Sequence, residues 1–464
     1  MKMIDFWDYS VWGWFNVLAA LLVSLLVANA LKKEIPFLQK SLIPVSVLGG
    51  LILVVIAGIY KAITGNIMFD TKFFGGHGTD VLEQITYHML ALGFIASAFK
   101  GGHGKLSKRR TRDIFNSGVT TVATYLLQAV VGFGITLIAA KLMTGFFSSA
   151  GVLLPFGYGQ GTGQAMNYGN IYEKQFGFVG GKSFGLTIAA FGFISASVGG
   201  VIHLNILRRK GKLQEKFEDE EGEIYSEQIQ AEGEIPMQES IDKMTVQIAL
   251  IVVAYLLAFV LMLGLGQLLP GMKAVIFGFN FLLGVLAATV IKLVLNLLKK
   301  AKIVKKEYTN DFLMTRVGNF FFDIMVVAGI AAIRLGDVEK YWGILLILGV
   351  AGMVVTYVYN LFVAKVLFKR YTHAQFLAMY GMLTGTASTG VILLREIDGE
   401  FKTPASDNLV YQTFPAIVFG FPLMLLATLA PQKPMMTFFI LIAFFLVMNV
   451  ILFRRYIFRK RRKR

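Results

Sequence analysis

The chain has 464 residues, of which 56% are hydrophobic and only 16% charged, with no cysteine and a net charge of +17. A soluble domain averages about 45–50% apolar and about 25% charged residues, so this chain holds more apolar surface than a globular interior can hide and must be an integral membrane protein. The missing cysteines exclude disulfides, thiolate zinc sites, iron–sulfur clusters and cysteine nucleophiles. Five scattered histidines without an HExxH motif leave little material for a metal centre.

A hydrocarbon core of about 30 Å takes roughly 20 apolar residues of helix. In chain order, eleven spans are expected near 13–31, 42–60, 81–99, 119–142, 183–207, 246–269, 275–298, 312–335, 343–368, 411–430 and 435–453. No removable signal peptide is expected before the first. Two further stretches, 145–172 and 374–394, are rich in glycine and threonine and too polar in the middle to face lipid as simple helices.

Short cytoplasmic loops carry the Lys/Arg excess. One alternating set of loops holds Lys32, Lys33 and Lys40, then the basic residues of 100–112, 208–216 and 299–306, then Lys369, Arg370 and the tail 454–464. The opposite set, comprising the N-terminus with Asp5 and Asp8, 64–80, 336–340 and 431–434, carries few cations. The N-terminus is therefore expected outside and the C-terminus in the cytoplasm. This alternation holds only if 145–172 and 374–394 each leave by the side they entered, as re-entrant hairpins, the first opening outward and the second inward. Non-helical backbone at membrane depth is tolerated only when buried in protein or lining a watery cavity, so the hairpins are the expected functional centre.

The segment 208–243, with Glu218, Asp219, Glu220, Glu221 and Glu223, has too few apolar residues to repay ordering entropy and reads as a solvated cytoplasmic linker. Matching punctuation stands on either side of it at similar offsets: Pro44 and Pro270, Gly93 and Gly329, Gly161-Thr162 and Gly385-Thr386. The expected architecture is an all-α polytopic membrane protein, an inverted repeat of five transmembrane helices plus one re-entrant hairpin per half, with an extra C-terminal helix. The first repeat is 1–207, the linker 208–243, the second repeat 244–430, and the extra span with its basic tail 431–464. Because five is odd, the second copy sits upside down. Inverted repeats with interrupted segments at matching positions point to a secondary transporter with its site near the midplane.

In the first hairpin, alternate glycines from Gly157 to Gly163 let the backbone turn and approach a ligand. Gln160, Thr162, Gln164 and Asn167 offer neutral donors and acceptors there, and a helix starting near Gly161 would direct free N–H groups at the tip, which suits a carboxylate. The second hairpin, with Thr384, Gly385, Thr386, Ser388 and Thr389, is dense in hydroxyls, and oxygen ligands suit a hard cation such as sodium. The plain alternative for both is small-residue helix packing, but two such segments at equivalent positions favour function. Asp323, roughly two turns inside the membrane from Arg316, is the clearest intramembrane acid and a candidate ion ligand or proton relay. Gln128, Asn280 and Asn360 read as interhelical hydrogen bonds. Lys182 and Arg334 near the outer ends either snorkel or attract an anionic solute. No GxSxG, Walker loop or paired intramembrane carboxylates occur, and no segment is large enough for a nucleotide domain. The chain reads as neither an enzyme nor an ATP-driven pump, so transport is ion-driven or passive.

Between Ile43-Pro44 and Pro422, an ordered set of short motifs carries a likeness: Gly49-Gly50, Gly159, Gly161-Thr162-Gly163, Ala165, Glu173, Gly177-Phe178, Gly318-Asn319, Gly381 and Gly385. Through them the chain resembles the bacterial glutamate:sodium symporter family. The resemblance implies a multi-pass protein of the bacterial cell membrane, compatible with a homodimer, that takes up an anionic amino acid with sodium at the place where the hairpin tips meet. Gly159, Gln160, Gly161, Thr162, Gly163, Gln164, Asn167, Gly385, Thr386, Ser388 and Thr389 are then the expected substrate residues, and Asn319 and Asp323 the ion ligands. The expected partners are a small anionic solute such as glutamate, sodium and the lipid bilayer, with no nucleic acid and no organic cofactor. Departures are the Tyr158-Gly159-Gln160-Gly161 run in place of Gly-Gly-x-Gly, Gln160 for the usual histidine, Leu383 for a glycine, Asp323 for an uncharged residue, and the final span. They leave the solute open and keep a proton-coupled or passive, channel-like transporter as the alternative. The +17 charge reads as a topology signal, reinforced by contact with an anionic inner leaflet.

Overall fold

The computed structural model describes residues 5–100, 108–211, 234–237, 240–398 and 403–457. The basic residues between 101 and 107, the acidic cluster from Glu218 to Glu223 and the tail beyond 457 lie outside the described residues. Among the described residues the architecture is helical, and the β pairing is a single bridge between Glu234 and Glu307.

The first six principal helices are α1 Tyr9–Glu34, α2 Val45–Thr64, α3 Gly78–Phe99, α4 Lys108–Leu142, α5 Leu153–Phe176 and α6 Gly181–Arg209. After the linker come α7 Lys243–Leu268, α8 Asn280–Lys300, α9 Asp311–Ala331, α10 Trp342–Leu367, α11 Thr372–Thr384, α12 Ala387–Arg395, α13 Ala405–Tyr411, α14 Thr413–Leu429 and α15 Pro434–Ile457. Starts follow local chemistry: Asp8 accepts from Ser10 N, Asp242 from Met244 N, and Asn310 from Leu313 N, each satisfying an orphan donor of a first turn. Nine described helices are long and apolar enough to cross a membrane, or ten if the bent pair formed by α13 and Pro415–Leu429 counts as one span. The protein is thus an all-α polytopic membrane protein. Of the expected spans, α3 falls short because Asp80, Glu83, Gln84 and His88 occupy its first half. The span expected at 275–298 is broken at Phe279, between a short helix Lys273–Gly278 and α8.

The helices pack in two groups. In one, α3 lies against α8 and α9, α2 against α1 and α9, and α7 against α8. In the other, α4 packs on α5, α10, α14 and α15, while α6 packs on α5, α10 and α11. The first group thus takes three helices from before the linker and three from after it. The second takes the glycine-rich segments and the helices flanking them.

Both glycine-rich segments double back. In α5 the backbone leaves the helical region at Gly161, with φ 78° and ψ −171°, a conformation essentially reserved for glycine. Phe156 and Tyr168 then stack face to face with ring centroids 3.9 Å apart. In one continuous helix a twelve-residue separation would place them about 18 Å apart, so the arms 153–160 and 162–176 run side by side. The second turn lies at Gly385 and Thr386, between α11 and α12. A Cβ on Gly381 would stand 2.8 Å from Gly390 Cα, so glycine lets these two arms touch.

Candidate functional site

The two turns face each other. A Cβ built on Gly161 would lie 3.4 Å from Thr386 Cγ2, 3.8 Å from the Gly385 carbonyl oxygen and 3.8 Å from Met325 Cε. Helix α9, from the other group, closes the third side: Thr162 donates to the Met325 carbonyl at 3.3 Å, and a Cβ on Gly329 would stand 2.6 Å from Thr162 Cβ.

Several expected residues are thereby brought together, and their roles divide. Gly161, Thr162, Gly385 and Thr386 form the apposed tips. Thr389 lies one turn into α12 with its Oγ1 3.4 Å from Thr386 Oγ1, and Ser388 beside it is half-buried. Gln160 is half-buried just before the first turn. Gly159 and Gly163 are packing positions: a Cβ on Gly159 would meet Tyr125, and one on Gly163 would meet Leu90. Gln164 is 1% exposed, and neither its Nε2 nor its Oε1 has a hydrogen-bond partner. Such a buried amide normally finds partners, so this one, a turn from the tip, is a vacant polar contact. Asn167 donates to the Gly278 carbonyl at 3.4 Å.

Asn319 and Asp323 are not brought to the tips. At about 100° per residue, Asp323 stands about 160° and Asn319 about 120° around α9 from Met325. Both are exposed, and Asp323 lies beside Ser46 of α2. The sequence gives the depth of an acid in a span but not the face it occupies.

Two electrostatic features complete the geometry. The arms 162–176 and Ala387–Arg395 both begin at the tips, and the second has no side-chain cap, so N–H groups and the positive ends of two helices point where the turns meet. The arms ending at Gln160 and Thr384 direct carbonyls and negative ends to the same place. Second, a cavity of about 690 Å³ opens between α3, the second arm of α5, the start of α6 and the 273–278 helix, lined in part by Asp80, Tyr87, Asn167, Asn170 and Lys174. Glu83 and Lys182 pair across it at 2.8 Å. Arg334 lies 3.9 Å from Asp70, so both cations with two readings in the sequence face carboxylates.

Sequence reasoning missed the tyrosines that hold the hairpins. Tyr125 donates to the Gly159 carbonyl at 2.9 Å, Tyr168 to Met424 at 2.9 Å, Tyr172 to Ala427 at 2.7 Å, and Tyr380 to Ser195 at 2.8 Å. In an apolar span a tyrosine reads as core filling, and its hydroxyl partner is a backbone atom that leaves no sequence trace. Gln128, Asn280 and Asn360 do bond between helices: Gln128 donates to Thr356, Asn280 to the Tyr87 carbonyl and Asn360 to Thr124.

No curated protein matches the chain significantly. A family model described as sodium/glutamate symporter matches residues 13–403, which span both hairpins and the helices from α1 to α12. The chain therefore belongs to the sodium/glutamate symporter family.

Proposed function

We propose that the protein is a secondary transporter that moves a small carboxylate such as glutamate together with sodium across the bacterial cell membrane. Family membership supports the solute and ion class. The observation that carries the reading to particular residues is the apposition of Gly161 and Thr386 with the buried, unpartnered amide of Gln164 one turn away. No arginine side chain is required there. Two helix N-termini, that of Ala387–Arg395 without a side-chain cap, supply N–H groups for a carboxylate, while Thr162, Gln164 and Thr386 orient it. The carbonyl ends of the opposite arms suit a cation, an arrangement in which interrupted helices present both polarities at one place.

The division into two helix groups supports a mechanism of alternating access. The group carrying both hairpins would shift against the group formed by α1–α3 and α7–α9, exposing the tips first to one side and then to the other. In this reading the two halves form an inverted repeat, the N-terminus lies outside, and the 690 Å³ cavity is an outward vestibule. Melting of the purified protein, screened against amino acids and organic acids with and without sodium, tests the substrate class, because a ligand that binds the folded state raises the melting temperature. Stabilisation by glutamate or a close carboxylate that deepens with sodium is expected. Stabilisation only by cationic or neutral solutes would contradict it.

A further inference from the structure

We propose a sodium site inside the hairpin-bearing group, between α4 and α10 and against the end of α11. It rests on the sodium-coupled reading above but uses none of the tip residues assigned to the solute. Thr124 and Gln128 stand one turn apart on α4, and Thr356 and Asn360 one turn apart on α10. The helices pair Thr124 with Asn360 and Gln128 with Thr356. Asn360 Nδ2 donates to Thr124 Oγ1 at 3.3 Å and to the Thr356 carbonyl at 2.9 Å. Gln128 Nε2 donates to Thr356 Oγ1 at 2.8 Å and to the Leu383 carbonyl at 2.9 Å. None of the four side chains is more than 2% exposed.

Both amide nitrogens are therefore used, whereas Gln128 Oε1 and Asn360 Oδ1 accept nothing. Leaving a buried acceptor unsatisfied is destabilising. A simple interhelical clasp would match amide oxygens as well as amide nitrogens. Here what remains over is only oxygen: the two amide oxygens, on side chains whose nitrogens are held by threonine hydroxyls and main-chain carbonyls. That neutral, all-oxygen set suits a hard cation, and the absence of a carboxylate among these residues favours a single charge over a double one. A second observation points the same way. Leu383 is the penultimate residue of the thirteen-residue helix α11, whose C-terminal end carries partial negative charge. Since Gly385 and Thr386 follow directly, an ion held here would brace the second tip, which links sodium binding to the solute site.

The test reads the melting temperature of the full-length protein in lipid nanodiscs, without solute, against sodium chloride at constant ionic strength in N-methylglucamine chloride. Sodium uptake assays on the same variants run in parallel. Wild type is expected to be stabilised by sodium, with Gln128→Leu and Asn360→Leu raising the half-effect concentration at least tenfold. Thr437→Val, which removes a buried unpartnered hydroxyl from α15, should leave that concentration unchanged. Gln128→Glu and Asn360→Asp retain an oxygen, and their half-effect concentration should fall as pH rises from 6 to 8 and the new carboxylate ionises. If the leucine variants do not fold, this pH series decides. Leucine variants that match wild type, or acidic variants whose sodium response ignores pH, would mean that the orphan oxygens hold water and would overturn this site. Sodium-driven uptake that persists in wild type alongside that result leaves the transporter reading intact. Uptake indifferent to sodium in wild type sinks both.

Discussion

Gly161 and Thr386 meet across the two hairpin turns: a Cβ on the glycine would sit 3.4 Å from the threonine methyl. Although 225 positions apart in sequence, they place two helix beginnings and two helix ends at one point inside the bundle.

Gly161 has φ 78° and ψ −171°, a region that costs other residues about 1–3 kcal/mol. Gly161→Ala is expected to lower stability by about that amount and to reduce uptake more than tenfold at temperatures where the protein remains folded. Uptake at wild-type level per folded molecule would show that the turn has no role in transport.

Gln164 presents a different combination. Its amide is buried and unpartnered, so an apolar replacement of similar shape removes an unsatisfied group, which is neutral or stabilising by up to about 1–3 kcal/mol. Gln164→Leu should therefore keep or raise the melting temperature while increasing KM for solute at least tenfold. A lower melting temperature with unchanged KM would make the residue structural.

At the tips themselves, valine matches threonine in shape but lacks the hydroxyl. Thr162 gives its hydroxyl to the Met325 carbonyl at 3.3 Å, a long bond, and Thr386 lies 3.4 Å from Thr389. Thr162→Val and Thr386→Val should cut transport at least tenfold with a loss of stability below about 1.5 kcal/mol per hydrogen bond removed. Circular dichroism and melting separate the two effects.

Relative movement of the helix groups is open to a direct check, because the chain has no cysteine. Glu83 of α3 and Lys182 of α6 belong to different groups and pair at 2.8 Å. In the double variant Glu83→Cys with Lys182→Cys, a short cleavable thiol cross-linker should reduce turnover more than tenfold, and cleaving the linker should restore it. Full turnover in the cross-linked protein would mean that the groups do not separate here.

Much of this arrangement was legible in the residues. Glycine and threonine crowded into stretches too polar for lipid, together with the alternation of basic loops, already pointed to the turns at Gly161 and Gly385. Position around a helix was not legible. Asp323 stood out as an acid within a span, yet one helical residue more or less rotates a side chain by about 100°, and only the packing of α9 on α2, α3 and α5 puts it away from the tips. Partner identity was equally hidden. Tyr168 and Tyr172 bond to backbone carbonyls of α14 about 255 positions away, and the unmatched oxygens of Gln128 and Asn360 appear only once their nitrogens are seen to be occupied.

The most direct measurement of the central claim is uptake of labelled glutamate into proteoliposomes under an imposed inward sodium gradient, compared with a proton gradient and with none. The account predicts saturable accumulation above equilibrium that requires sodium and is lost in Gly161→Ala. Flux that does not saturate, or that is the same with and without the sodium gradient, would contradict it.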